Sequence, residues 1–319
     1  MKKPKVLVTR QVANEAVSLL ETAADVEVWK QDEPIPRELL LEKIESSDGI
    51  LAMLTERIDE ELLARAQCLR VVANMAVGYD NIDLAACKKR DIWVTNTPDV
   101  LTEATADLAF ALMMATGRRL MEANRFLLNG EWKSWSPSLL AGQNVHGATL
   151  GIIGMGRIGE AVARRAKGFG MRILYYNRSQ KQQAEAETGA ELVSLEALLR
   201  ESDYVVLLTP LTAETRLLMG EKQFSWMKPT SVFINVSRGG TVDETALYQA
   251  LVNKQIWAAG LDVFQQEPVP LDHPLLTLPN VVALPHIGSA TEQTRAEMAR
   301  LAAANIVAVL GGQRPLTPL

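Results

Sequence analysis

Short apolar runs alternate with longer segments of helical period along almost the whole chain. In the first hundred residues the runs are Lys5–Thr9, Val26–Trp29, Gly49–Leu54, Arg70–Met75 and Ile92–Asn96, separated by helical patterns such as Val12–Ala23 and Pro36–Glu45. A second series follows: Thr149–Gly154, Arg172–Asn177, Tyr204–Pro210, Ser231–Ser237, Ala258–Phe264 and Val281–Ile287. Strand-length runs spaced by helix-length segments specify βαβ units and buried parallel sheets. The expected fold is therefore α/β, with two doubly wound parallel-sheet domains. Between the series, Thr102–Leu120 is dense in Ala, Leu and Met and reads as one long buried helix with Thr102 as N-cap. Thr291–Leu310 predicts a last long helix, stopped by Gly311-Gly312.

Composition narrows the classes. A length of 319 residues suits two domains, and 48% hydrophobic with 22% charged residues excludes a disordered chain. The net charge of −5 argues against nucleic acid as a partner. No apolar run is long enough to span a membrane. The basic start, Met1 to Arg10, carries too few apolar residues for a secretory leader. Cys68 and Cys87 build neither a disulfide framework nor a zinc site, so both are expected as thiols in a reducing cytoplasm, with no metal bound.

Gly154-Met155-Gly156-Arg157-Ile158-Gly159 is a G-x-G-x-x-G in the context that gives the pattern meaning: a strand-like run before it, a helical segment Glu160–Gly168 after it, and a second strand next. Gly154 is expected to make the tight turn, Gly156 to let backbone approach a pyrophosphate, and Gly159 to let helix and strand pack closely. The helix N-terminus then offers N–H groups and positive dipole to phosphates.

Ligands of open parallel sheets sit beyond the carboxyl ends of the strands. Three polar residues fall there: Arg238 after Ser231–Ser237, Glu267 after Ala258–Phe264, and His286 after the last run. A histidine exchanges protons near neutral pH, a carboxylate can hold its tautomer and favour its charged form, and an arginine can grip a substrate carboxylate in a fork. His146 and His273 lie in a loop and a proline-anchored turn and are expected to be structural.

These residues resemble the D-2-hydroxyacid dehydrogenase family. The resemblance is carried by Asn74 to Asp83, Gly154 to Gly159, Asn235 to Gly240, Gly260 to Pro268, and Leu284 to Thr291, in the family's order across both halves. Within the family, Leu54 to Asp59, Trp132 to Pro137 and Asn177-Arg178-Ser179 make the chain similar to glyoxylate/hydroxypyruvate reductases, which also act on 2-ketogluconate. The resemblance implies a flavodoxin-like substrate domain of residues 1–99 and 288–319, and a Rossmann cofactor domain of residues 100–287, with the active site in the cleft between them. It implies reduction of a small 2-oxo acid to the D-2-hydroxy acid, with hydride from a nicotinamide and a proton from His286. Glu267 would orient and charge His286, and Arg238 would bind the carboxylate and keto oxygen. Leu54, Val77, Gly78, Arg238, His286 and Trp135 would contact substrate. Thr105, Gly154, Gly156, Arg157, Ile158, Gly159, Asn177, Arg178, Ser179, Thr209, Pro210, Val236, Asp262, Gly288 and Ser289 would contact the cofactor. A homodimer through the cofactor domains is implied, with residues 121–147 reaching the partner. Dehydrogenases of this fold acting on phosphoglycerate, formate or phosphite are the alternatives inside catalysis; formate enzymes pair the histidine with glutamine, whereas Glu267 stands here. A dinucleotide-sensing corepressor-like scaffold is the alternative outside it.

The second strand of the dinucleotide unit ends at Asn177, 23 positions after Gly154, where an NAD site places a carboxylate for the ribose hydroxyls. The sequence there is Asn177-Arg178-Ser179-Gln180-Lys181, without an acid before Glu185. Arg178 and Ser179 can pair with a 2′-phosphate, so NADPH is the expected preference, with NADH also accepted.

Overall fold

The computed structural model describes residues 3–319; Met1 and Lys2, which open the basic N-terminal stretch, lie outside the described residues. The chain forms two compact units. The first runs to Leu101 and takes up the chain again at Ser289–Leu319; the second is Thr102–Gly288.

The first unit holds β1 (Lys5–Val8), β2 (Asp25–Val28), β3 (Gly49–Ala52), β4 (Val71–Asn74) and β5 (Trp93–Thr95). They pair in the order β2-β1-β3-β4-β5, all parallel, the flavodoxin-like arrangement. One face packs Leu7, Ile50 and Val72 against Leu40, Ile44, Leu62 and Leu63 from helices Arg37–Ile44 and Glu60–Arg65. Helix Glu292–Leu310 packs on β3, β4 and β5 and against helix Asn14–Glu21. Thr291 caps that last helix, its side chain accepting from the Thr294 N–H.

The second unit holds β6 (Thr149–Ile153), β7 (Arg172–Tyr176), β8 (Glu191–Leu192), β9 (Tyr204–Leu207), β10 (Val232–Asn235), β11 (Ala258–Leu261) and β12 (Val281–Ala283). The parallel order is β12-β11-β10-β9-β6-β7-β8, so the connections reverse direction between β6 and β9, where such sheets take their ligands. Alternate residues feed two cores: Ile152, Val206 and Ile234 on one face, Ile153, Val205 and Phe233 on the other. Burial on both faces explains why these strands read as continuous apolar runs. Edge strand β8 spans two residues, too few to leave a periodic signal.

The long helix expected over Thr102–Leu120 is broken. It ends at Gly117, Arg119 takes a left-handed conformation (φ +53°), and a separate helix covers Leu120–Leu128. The Gly117 carbonyl accepts the Gln143 N–H at 2.8 Å, a partner that no local pattern encodes. Ala106, Ala109, Leu112 and Met113 of the first helix are fully buried, as its composition requires.

Candidate active site

At the C-terminal end of β6, Gly154 adopts φ +101°, which a side chain would strain. A Cβ on Gly159 would stand 2.4 Å from the Gly154 oxygen, so helix and turn pack backbone to backbone there. The Gly156 position faces open space, with nothing within 4 Å of a Cβ. Helix Arg157–Gly168 begins right after Gly156, three residues earlier than its apolar pattern indicates, and no side chain caps it. Its first N–H groups are thereby available to an anion. Arg157 is exposed and Ile158 half-buried. Across the switch point, Thr209 follows β9, within 3.0 Å of a Cβ on Gly154, and its buried Oγ1 has no hydrogen-bond partner; Pro210 is exposed.

At the end of β7, the Asn177 side chain donates to the Ser179 carbonyl at 2.8 Å and shapes the turn. Arg178 is 85% exposed and lies 3.7 Å from Glu214.

Strands β10, β11 and β12 end in register at Asn235, Leu261 and Ala283. Asn235 builds the turn that follows β10: its amide donates to the Arg238 carbonyl at 3.1 Å, and its oxygen accepts from the Ser237 N–H at 3.0 Å and hydroxyl at 2.8 Å. Arg238 sits extended on this turn, Nη1 donating to the Ser237 carbonyl at 2.9 Å, and Val236 is buried beneath. Asp262, one residue past β11, is buried. Its Oδ1 accepts the Ile287 N–H at 2.7 Å, while Oδ2 is buried without a partner. Burial pushes its carboxyl above the usual range, against the Ile287 hydrogen bond and the nearby His286. A Cβ on Gly288 would lie 3.3 Å from that Oδ2 and 3.4 Å from Thr105, so Thr105, Asp262 and Gly288 converge on one spot.

His286 follows β12 in a left-handed conformation (φ +54°), its N–H donating to the Asp262 carbonyl at 2.8 Å. Its Nδ1 meets Glu267 Oε2 at 2.6 Å. The other Glu267 oxygen accepts the Phe264 N–H at 3.0 Å. Burial pushes the Glu267 carboxyl up, but the His286 contact, the Phe264 N–H and the Arg238 charge together hold it below the usual carboxylate range. Glu267 is therefore ionised at neutral pH, Nδ1 carries the proton between them, and Nε2 is left for another partner.

Leu54, Val77, Gly78 and Ser289 belong to the first unit. Leu54 is half-buried on the loop after β3, a loop held by buried Glu56, which accepts from the Met53 N–H at 2.6 Å and from Thr9 Oγ1 at 2.5 Å. The Ala76 carbonyl accepts the Thr97 N–H at 2.9 Å, the Val77 carbonyl the Asn96 amide at 2.8 Å, and the Gly78 carbonyl the Asn74 amide at 2.8 Å. A trans peptide points its N–H opposite to its carbonyl. Anchoring the Ala76 and Val77 carbonyls therefore turns the N–H groups of Val77 and Gly78 the other way. Asn74 and Asn235 open two of the stretches that carry the resemblance but were given no role, and Asn96 was not singled out; asparagine at the end of an apolar strand run is the signal that could have found these roles. Trp135 is 79% exposed and Trp132 57%, so neither ring is buried against its own loop. Among the described residues no group of His, Cys, Asp and Glu is arranged to hold a metal, and no helix is long and apolar enough to cross a membrane.

Comparison with known proteins adds to this geometry. Residues 110–288 match the family model described as D-isomer specific 2-hydroxyacid dehydrogenase, NAD binding domain. A glyoxylate reductase of Thermococcus gammatolerans is 52% identical over 99% of this chain and 95% of its own length. The chain belongs to the D-isomer specific 2-hydroxyacid dehydrogenase family. The family's NAD binding stretch includes Gly154 to Gly159, Arg238, Asp262, Glu267 and His286. Solved structures agree with the fold. A Thermus thermophilus protein superposes with a TM-score of 0.93 at 45% identity, covering 99% of both chains. An NADPH-dependent glyoxylate/hydroxypyruvate reductase of Sinorhizobium meliloti, in complex with NADP and malonate, gives 0.86 at 34% identity, covering 100% of this chain and 97% of that one.

Proposed function

We propose that this 2-hydroxyacid dehydrogenase reduces small 2-oxo acids, with glyoxylate, hydroxypyruvate and 2-ketogluconate as candidates, to the D-2-hydroxy acids. The observation that carries the reading is the 2.6 Å contact between His286 Nδ1 and an ionised Glu267. It fixes the orientation of the ring and leaves Nε2 beside the end of β12 to exchange a proton with substrate. On this reading His286 also binds the substrate, giving its proton to the keto oxygen as negative charge develops there. Arg238 holds the carboxylate and the same oxygen through its fork. The N–H groups of Val77 and Gly78 receive the carboxylate, and Leu54 gives an apolar contact.

The residues suit a dinucleotide: an uncapped helix end at Arg157, open space over Gly156, and two buried oxygens without partners, Thr209 Oγ1 and Asp262 Oδ2. A bound nicotinamide supplies hydride to the keto carbon. Asp262 would face its carboxamide end, with Thr105 beside it. Gly154, Gly156, Gly159, Arg157 and Ile158 hold the pyrophosphate. Thr209, Pro210, Val236, Gly288 and Ser289 line the remaining length. The second unit is on this reading the cofactor domain and the first the substrate domain. Asn177, Arg178 and Ser179 take the 2′-phosphate, so NADPH is preferred to NADH; the strand ends in Asn177 rather than in a carboxylate, although Glu214 stands 3.7 Å from Arg178.

The enzyme acts as a homodimer in this proposal. Leu120, Met121, Leu127, Leu128, Trp132 and Trp135 are all exposed within one short stretch, an apolar surface that a second copy covers and from which Trp135 reaches the partner's substrate. The reducing compartment suited to the free, exposed Cys68 is the cytoplasm. A rate panel over the three acids with each nicotinamide cofactor tests the function, and absence of turnover on all three would leave a sensing scaffold or another substrate. Light scattering that finds a monomer at micromolar concentration would refute the dimer.

A further inference from the structure

The loop that carries Glu267 has no core of its own. Gln265, Gln266 and Pro268 are solvent-exposed, the Glu267 side chain is 31% exposed, and Phe264 just before them is buried. Polar anchors hold it instead. The Gln265 N–H donates to Glu244 Oε1 at 2.7 Å, and the Gln265 side-chain amide donates to the Val242 carbonyl at 2.5 Å. The second Glu244 oxygen meets His273 Nε2 at 3.2 Å. His273 Nδ1 accepts the Leu275 N–H at 3.3 Å, which fixes the neutral ring's proton on Nε2, aimed at Glu244. The same ring stands edge-on to Phe264, with centroids 6.0 Å apart.

Glu244 opens helix Glu244–Val252, where an acid is favourable for the helix dipole alone. Capping is nevertheless done by its neighbour: Asp243 accepts the Thr245 and Ala246 N–H groups, both at 3.0 Å. Both Glu244 oxygens are directed instead at the loop and at the histidine that closes it. Consecutive amides are thereby pinned to two different carboxylates, Phe264 N–H to Glu267 and Gln265 N–H to Glu244.

We propose that Glu244, backed by His273, is a positioning residue for the reaction, a clasp that sets the Gln265 backbone so that Glu267 meets His286. The proposal rests on Glu267 acting through His286. The charged and titratable groups facing Glu267 are His286, Arg238 and Asp262; Glu244 faces His273.

The test uses the full-length protein with Glu244→Ala, Glu244→Gln, Glu267→Gln and the double variant, each measured for kcat, KM and the pH profile of glyoxylate reduction. Glu244→Ala is expected to lower kcat about tenfold, within the range of a general acid's whole contribution, with the cofactor KM unmoved. Its alkaline limb should move to lower pH, in the direction Glu267→Gln moves it. Glu244→Gln, whose amide oxygen still accepts the Gln265 N–H, should restore most of the rate. In the Glu267→Gln background Glu244→Ala should add no further loss, because residues that act through one another are non-additive. A full additional loss there, or a parent pH profile in Glu244→Ala, overturns the clasp. If Glu244→Ala does not fold, equal damage from Glu244→Gln does the same. A parent profile in Glu267→Gln itself would instead overturn the reading of the site.

Discussion

Gly239 ties the two sides of the candidate site together. It follows Arg238, and a Cβ placed on it would stand 1.8 Å from the Phe264 carbonyl carbon, 2.0 Å from its oxygen and 2.3 Å from the Gln265 nitrogen. All three are backbone atoms of the segment leading to Glu267, so no flexible side chain can swing aside. In Gly239→Ala the distance must open from 1.8 Å to an ordinary 3.4 Å contact, a displacement of about 1.6 Å between the Arg238 turn and the Glu267 loop. A misplacement of about 1 Å costs on the order of 100-fold in rate, so kcat/KM for glyoxylate should fall at least about that far. Overpacking also costs about 1–3 kcal/mol, visible as a fall of a few degrees in Tm. Gly168→Ala, which meets nothing within 4 Å, is the control and should behave as the parent does. Steady-state kinetics and a thermal melt on both variants suffice. Parent-like kcat/KM and Tm in Gly239→Ala would refute the coupling of Arg238 to the loop.

Arg178→Ala should weaken NADPH binding by about 1 kcal/mol, less than a buried charged contact because Arg178 is exposed and shares its charge with Glu214, and should leave NADH unmoved. Equal loss for both cofactors, measured by titration, contradicts the 2′-phosphate role. Burial pushes the Cys87 thiol up to about 11, whereas Cys68 is exposed, so native protein should react with a thiol reagent at one site and unfolded protein at two; two fast native sites would contradict the packing. Glu267 has its acidity strengthened in the fold, so the stability it adds is present above its unfolded pKa and is lost as pH falls through the lower folded value. Glu267→Gln should therefore flatten the acid limb of unfolding, and it should also move the alkaline limb of keto-acid reduction to lower pH; an unchanged profile on both limbs argues against the pair.

Much of this was legible in the sequence because strands buried on both faces leave unbroken apolar runs, and because Gly154, Arg238, Glu267 and His286 each follow such a run. The break in the Thr102–Leu120 helix was not legible, since it depends on Gln143 reaching the Gly117 carbonyl from 26 residues away. Nor was the role of Asn96, which holds the Val77 carbonyl from 19 residues away, across the paired ends of β4 and β5. His273 reads as a turn residue, and so it is, but its bond to Glu244 joins segments 29 residues apart. Long-range polar contacts of this kind carry no periodicity.

Reduction of glyoxylate by His286→Asn is the most direct measurement. The variant's kcat should fall about 10²–10⁴-fold, the contribution of a general acid, with NADPH affinity within about twofold of the parent. A kcat within threefold of the parent would contradict it, and the contact between His286 and Glu267 would then be a structural pairing only.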